Sequence, residues 1–154
     1  MSRVQLALNV SNLDEAIAFY SRLFGAKPAK TRPGYANFAI AEPPLKLILM
    51  ESPGYGGTLN HLGVEVADTG AVEAEQARLA EAGLASVEQR GTTCCYARQD
   101  KFWVQGSPDG EQWEVYTVLA DSQTFFSEEK ERPACCGSEA GQAQETAGSA
   151  AQCC

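Results

Sequence analysis

The chain has 154 residues, 44% of them hydrophobic, and a formal charge of -8 from 12 basic and 20 acidic side chains. That length suits one compact domain or two fused half-domains. The acidic balance leaves no basic face for nucleic acid, no apolar run approaches the roughly 20 residues of a membrane span, and no charged-then-apolar leader opens the chain, so a cytoplasmic setting is expected.

Residues 4–10 alternate strictly, with Leu6, Leu8 and Val10 on one face and Gln5, Ala7 and Asn9 on the other, the period-two signature of a half-buried strand. A helix is predicted over 13–24. Ser11 or Asn12 would cap it, Leu13, Ile17, Tyr20 and Phe24 fall at helical spacing, and Gly25 closes it. Short strands follow at 27–32, 35–41 and 45–51, separated by Pro33-Gly34 and Pro43-Pro44 turns. After a glycine-rich linker over 52–58, expected to be flexible, the pattern begins again. Residues 60–66 match 4–10 position by position: Leu62, Val64 and Val66 replace Leu6, Leu8 and Val10, and His61 replaces Gln5. A second helix is predicted over 70–82, ended by Gly83. Strands are predicted near 86–90, 96–98, 101–105 and 112–118, with Pro108-Asp109-Gly110 turning into the last.

The chain therefore reads as an internal duplication of a βαβββ unit, with modules at 2–51 and 59–119. The fold class is α+β: neither half can bury its sheet alone, and two such sheets side by side would curl into an incomplete barrel with helices outside and a cavity inside. From about Ala120 the composition turns to Gly, Ala, Ser, Gln and Glu, so 120–154 is expected to be a disordered tail.

Gln5 and His61 hold equivalent positions on equivalent strands, so both should face one cavity. On the last strand Glu114 and Tyr116 share a face opposite Trp113 and Val115. An inward carboxylate is costly unless its charge is compensated, and a divalent cation would do that. The counterpart strand in module one, 45–50, carries no carboxylate, which leaves three ligands and open positions. One amide, one imidazole and one carboxylate form a variant of the facial triad of non-haem Fe(II) oxygenases. A single histidine on a strand is more often structural, but the register with Gln5 and the inward Glu114 weigh against that here.

All six cysteines occur as neighbours: Cys94-Cys95, Cys135-Cys136 and Cys153-Cys154. Adjacent cysteines close almost no loop, so a disulfide between them gains little; vicinal dithiols suit the chelation of a soft ion.

The duplicated unit, with inward residues on its first, fifth and final strands, resembles the vicinal oxygen chelate superfamily over about residues 2–119. That group includes glyoxalase I, extradiol dioxygenases and fosfomycin-resistance proteins. The runs Thr93-Cys94-Cys95-Tyr96-Ala97, Gln99-Asp100-Lys101, Ser107-Pro108-Asp109-Gly110-Glu111-Gln112-Trp113-Glu114-Val115-Tyr116 and Asn60-His61-Leu62-Gly63-Val64 look like the ArsI branch. Its members are Fe(II)- and O2-dependent carbon–arsenic lyases related to the cadmium-induced CadI proteins. The resemblance implies Fe(II) at Gln5, His61 and Glu114, dioxygen as cosubstrate, and the arsenic of methylarsenite held by Cys94 and Cys95. It also implies release of arsenite and an oxidised carbon fragment, and it is compatible with a homodimer. Tyr96 and Lys101 are candidates to lower the thiol pKa or shape the pocket, although a solvated loop charge is the commoner role for such a lysine. The loop over 92–101 is expected to close over substrate. Cys135, Cys136, Cys153 and Cys154 would either capture arsenical and pass it inward or be dispensable. Two alternatives stand beside the enzyme: a CadI-like protein that sequesters As(III), Cd(II) or Zn(II) on thiolates, and another reaction of the superfamily, which would give Cys94-Cys95 no work.

Overall fold

The computed structural model describes residues 2–126. Its elements run β1 (Arg3–Val10), α1 (Leu13–Phe24), β2 (Lys30–Arg32), β3 (Tyr35–Ile40), β4 (Leu45–Glu51), β5 (Leu59–Glu65), α2 (Thr69–Glu81), β6 (Ser86–Cys94), β7 (Ala97–Val104) and β8 (Trp113–Asp121). They form the expected pair of βαβββ modules, joined in one eight-stranded sheet of order β2-β3-β4-β1-β5-β8-β7-β6. Each module closes with a parallel pair, β1 with β4 and β5 with β8, and the modules meet along the antiparallel β1–β5 pair.

Alternation sorts the two faces. Leu6, Leu8 and Val10 pack with Leu47, Leu49 and Phe38 under α1, whose Asn12 side chain accepts a hydrogen bond from the Glu15 N–H. Val64 and Val66 pack with Phe102, Val115, Val72 and Leu79 under α2, capped by Asp68. With both helices outside, the residues between these positions line the concave face.

Several predicted boundaries change, among them the start of β2, at 30 where 27 was expected, and the end of β6, at 94 where 90 was expected. The segments predicted separately at 96–98 and 101–105 are one strand, β7, because polar Gln99 and Asp100 continue its ladder. The linker at 52–58 is hydrogen-bonded to the end of β1: Asn9 N–H donates to Thr58 C=O, Gly57 N–H to Asn9 C=O, and Ser52 N–H to Val10 C=O. β8 runs past the predicted boundary at 119 to Asp121, and the chain then folds back so that Ser122 N–H donates to Tyr96 C=O and Phe126 bridges Cys94. Cys135, Cys136, Cys153 and Cys154 lie outside the described residues.

Candidate metal and dithiol site

The seam between the modules brings three predicted residues together. In the β1–β5 register Gln5 stands opposite Gly63 and Ala7 opposite His61, while Gly63 is also paired with Glu114 of β8. Gln5 and Glu114 therefore reach toward each other across a residue with no side chain. A Cβ on Gly63 would lie 3.1 Å from Glu114 Cγ and 3.2 Å from Gln5 Nε2. Gln5 and His61 are each 1% exposed and Glu114 3%. The Gln5 amide N–H donates to Glu114 Oε1 at 2.7 Å, its Nε2 is 2.9 Å from His61 Nε2, and His61 Nε2 is 3.4 Å from Glu114 Oε1.

Neighbours fix each group. His61 Nδ1 is 2.7 Å from Asn60 Oδ1, an amide oxygen that can only accept, so the ring proton sits on Nδ1 and the Nε2 lone pair faces inward. Asn60 is itself held by Asn9 at 3.0 Å. The Tyr116 hydroxyl lies against Gln5 Oε1 and stands 3.0 Å from Glu65 Oε2. Glu65 in turn receives Arg3 in two hydrogen bonds of 3.1 Å and Lys46 at 3.3 Å. Burial opposes the charge on Glu65, but Lys46 and Arg3 outweigh it and hold the carboxyl below the usual range. Burial also lowers the Lys46 pKa and raises that of Tyr116, which keeps the phenol protonated.

Lys101 is not the solvated loop charge that such a lysine usually is. It is 1% exposed and its Nζ donates to Glu114 Oε2 at 3.0 Å, while lying 4.8 Å above the Trp103 ring. Burial works against ionised Glu114, yet the Lys101 ammonium beside it outweighs that cost and holds the carboxyl well below its usual range.

Among the described residues no three His, Cys, Asp or Glu side chains cluster, so a cation here would depend on the Gln5 amide as third donor. The Gln5 NH2 group presently stands where a cation would attract both His61 and Glu114. Turning the amide presents Oε1 instead, and Tyr116 accommodates either state: it donates to Oε1 now, and its oxygen can accept from Nε2 when its O–H is directed at Glu65 Oε2. The donor set is nitrogen and oxygen with one carboxylate, which suits a borderline or hard divalent ion.

The dithiol lies on the same concave face. Cys94 pairs with Ala97, so Cys95 and Tyr96 are the two-residue turn of the β6–β7 hairpin, and both have positive φ, 54° and 61°. Those angles define the type I′ turn, which normally selects Asn-Gly. Each L side chain held there costs about 1–3 kcal/mol. The two sulfurs stand 3.3 Å apart, beyond the roughly 2.05 Å of a disulfide. Both cysteines are buried against Ala7, Tyr35, Ile48 and Met50, with Tyr96 and Phe125 packed alongside. Tyr96 and Phe125 meet edge to face at 5.3 Å. Tyr96 thus belongs to an aromatic wall behind the dithiol.

Beyond Gln5, His61, Glu114, Cys94, Cys95, Tyr96 and Lys101, the structure adds Asn60, Gly63, Glu65 and Tyr116. Glu65 lies two and four residues after Gly63 and His61, so strict alternation on β5 marks it as inward-facing. Asn60 is a neighbour of His61 and no periodic pattern reveals it.

A family model described as Glyoxalase/Bleomycin resistance protein/Dioxygenase superfamily matches residues 3–115. The "Cadmium-induced protein CadI" of Mycobacterium tuberculosis strain H37Rv is 71% identical over 127 residues, covering 82% of this chain and 83% of its own. The "Trivalent organoarsenical cleaving enzyme" of Thermomonospora curvata is 59% identical over 137 residues, covering 88% and 89%. Among solved structures, the Mn(II)-bound glyoxalase of Novosphingobium aromaticivorans superposes with a TM-score of 0.54 at 20% identity, over 87% of this chain and 44% of that one. At that identity it supports the fold alone.

Proposed function

The chain belongs to the Glyoxalase/Bleomycin resistance protein/Dioxygenase superfamily, and from that premise we propose that it is a carbon–arsenic lyase that converts trivalent organoarsenicals such as methylarsenite to arsenite. One observation carries the reading: a buried dithiol and a buried nitrogen–oxygen triad share one concave face, linked by Ala7, which packs in the dithiol's cluster and pairs with His61. Soft thiolates suit arsenic and the triad suits a harder metal, so one cleft offers two chemically distinct sites. The 59% identity to a protein named for organoarsenical cleavage points the same way.

Gln5, His61 and Glu114 would hold Fe(II), and a redox metal there would supply the activation of dioxygen. The protein's remaining work is placement. Cys94 and Cys95 would fix arsenic through two As–S bonds, with the apolar Ala7, Ile48 and Met50 around the carbon substituent. Asn60 keeps the His61 lone pair inward, and Lys101 holds Glu114 ionised. Methylarsenite, CH3As(OH)2, and one O2 balance to arsenous acid, As(OH)3, and one aldehyde, CH2O, so no external reductant is consumed.

The test is aerobic incubation of Fe(II)-loaded protein with methylarsenite, followed by arsenic speciation. Arsenite should appear in air, and neither under nitrogen nor with Zn(II) in place of Fe(II). Turnover with Zn(II) would sink the oxygenase reading. The 71% identity to CadI supports a second reading, thiol-based sequestration of As(III) or Cd(II). Under it Glu114→Ala should keep full protection against arsenical while Cys95→Ser abolishes it.

A further inference from the structure

Beside Cys95 the concave face opens into a cavity of about 290 Å³, lined by Tyr35, Ile48, Ala97 and Gln99 and by basic side chains. Those basic groups have partners: Lys30 donates to Asp121 at 2.6 Å, and Arg3 and Lys46 hold Glu65. Gln99 does not fit that pattern of satisfied groups. It is 5% exposed and its Nε2 donates to the Cys94 carbonyl at 3.3 Å, but its Oε1 has no hydrogen-bond partner among the described residues. A buried amide oxygen left without a donor costs on the order of 1–3 kcal/mol, so a fold keeps one where something else supplies the donor. The side chain spans from the backbone of one cysteine to the cavity that the other lines.

Resting on the arsenical reading above, we infer that this cavity receives the hydroxylated arsenical and that Gln99 Oε1 accepts the hydroxyl on arsenic while the thiols replace it. A trivalent methylarsenical in water carries two As–OH groups. In the first exchange Cys95 forms an As–S bond, one As–O bond breaks, and the thiol proton leaves with the hydroxide as water. In the second, Cys94 displaces the other hydroxide in the same way, and arsenic stays trivalent throughout. Between the two steps the single remaining As–OH is a hydrogen-bond donor, and Gln99, bound to the Cys94 backbone and lining the cavity beside Cys95, holds the buried acceptor Oε1. Gln99 is thus a positioning residue for capture, and it takes no part in bond cleavage.

The experiment follows capture in full-length, Zn(II)-loaded protein mixed rapidly with methylarsenite, using the near-ultraviolet absorption of the As–S bonds. Gln99→Leu should slow capture about fivefold, the effect of one neutral hydrogen bond. Gln99→Glu, which keeps an acceptor oxygen, should restore it. Methylarsenic presented as its bis(ethanethiol) adduct has no As–OH, so wild type and Gln99→Leu should capture it equally fast. Zn(II) affinity and alkylation of the cysteines by iodoacetamide should not change. Equal capture of methylarsenite by wild type and Gln99→Leu overturns the inference and leaves the lyase reading standing, as does equal slowing of both arsenicals. Failure of wild type to capture methylarsenite overturns the lyase reading itself. If Gln99→Leu does not fold, Gln99→Met removes the same acceptor with a flexible side chain and is read by the same criteria.

Discussion

Strands β4 and β8 occupy equivalent places beside β1 and β5, yet Ile48 pairs with Ala7 in the first module where Glu114 pairs with Gly63 in the second. One strand further out, Tyr35 stands opposite Met50, and Lys101 opposite Tyr116. The same register thus carries an apolar set in module one and a charged set in module two. The hairpins differ as well. The β2–β3 turn is Pro33-Gly34, immediately before Tyr35, whereas β7 begins at Ala97, four residues before Lys101. Register shifts at Gln89/Thr92 and Arg98/Gln99 lie along that extension, and such bulges bend a ribbon. The longer hairpin carries its cysteines back across the cleft onto module one's Tyr35, Ile48 and Met50. Duplication set the positions, and divergence at these positions gave one copy an apolar wall and the other the buried Lys101–Glu114 pair.

Making module two resemble module one should therefore abolish function in a graded way. Glu114→Ile gives β8 the residue of β4 and leaves Lys101 buried without its carboxylate. We expect no detectable arsenite release and a loss of about 3–5 kcal/mol in urea unfolding, the usual cost of breaking a buried pair. Gly63→Ala gives β5 the residue of β1. Its Cβ presses on Glu114 and Gln5, so Zn(II) affinity by calorimetry should fall roughly tenfold or more while the fold survives. Replacing Cys95-Tyr96 by Asn-Gly supplies the residues that a type I′ turn favours. Relief of two positive-φ side chains, less the lost ring contacts, should raise stability by about 1 kcal/mol and eliminate arsenical binding.

Acid titration adds a smaller test. The carboxyl of Glu65 is depressed in the fold, so its contribution is present above the ordinary carboxylate pKa and is lost as pH falls through the folded value. Glu65→Gln should therefore be less stable than wild type at pH 7 and lose less on acidification below about pH 4.5. The smallest effect is expected at the chain's end. Ending the protein after Phe126 should change neither stability nor the alkylation rate of Cys94 and Cys95, whereas ending it after Asp121 removes Phe125 and should speed alkylation of Cys95 a few-fold.

How much of this was legible in sequence follows from what alternation can report. The helix predicted over 13–24 matches α1 because four apolar residues and two caps agree. The concave face was legible wherever apolar and polar residues alternate, which is how Gln5, His61 and Glu114 were found. Strand β7 reads as two in the sequence because Gln99 and Asp100 are polar and yet largely buried, so hydrophobicity gives no strand signal there. The Cys95-Tyr96 turn was hidden for the converse reason, since neither residue type favours positive φ. Gly63 was visible only as part of a strand, and its role depends on which side chains converge across it.

The position of the dithiol hairpin has a thermodynamic corollary. Because its cysteines belong to module two and are buried on module one, a ligand held by both sulfurs is enclosed by both halves, and it stabilises their union to the extent that the undocked hairpin binds it less well. Occupancy should then slow amide exchange along the β1–β5 pair, at a distance from arsenic, and each tenfold rise in free ligand above Kd should add about 1.4 kcal/mol to the resistance of the halves to separation. Captured cargo would thus stabilise the packing of the hairpin on module one by mass action, with no bond between the modules.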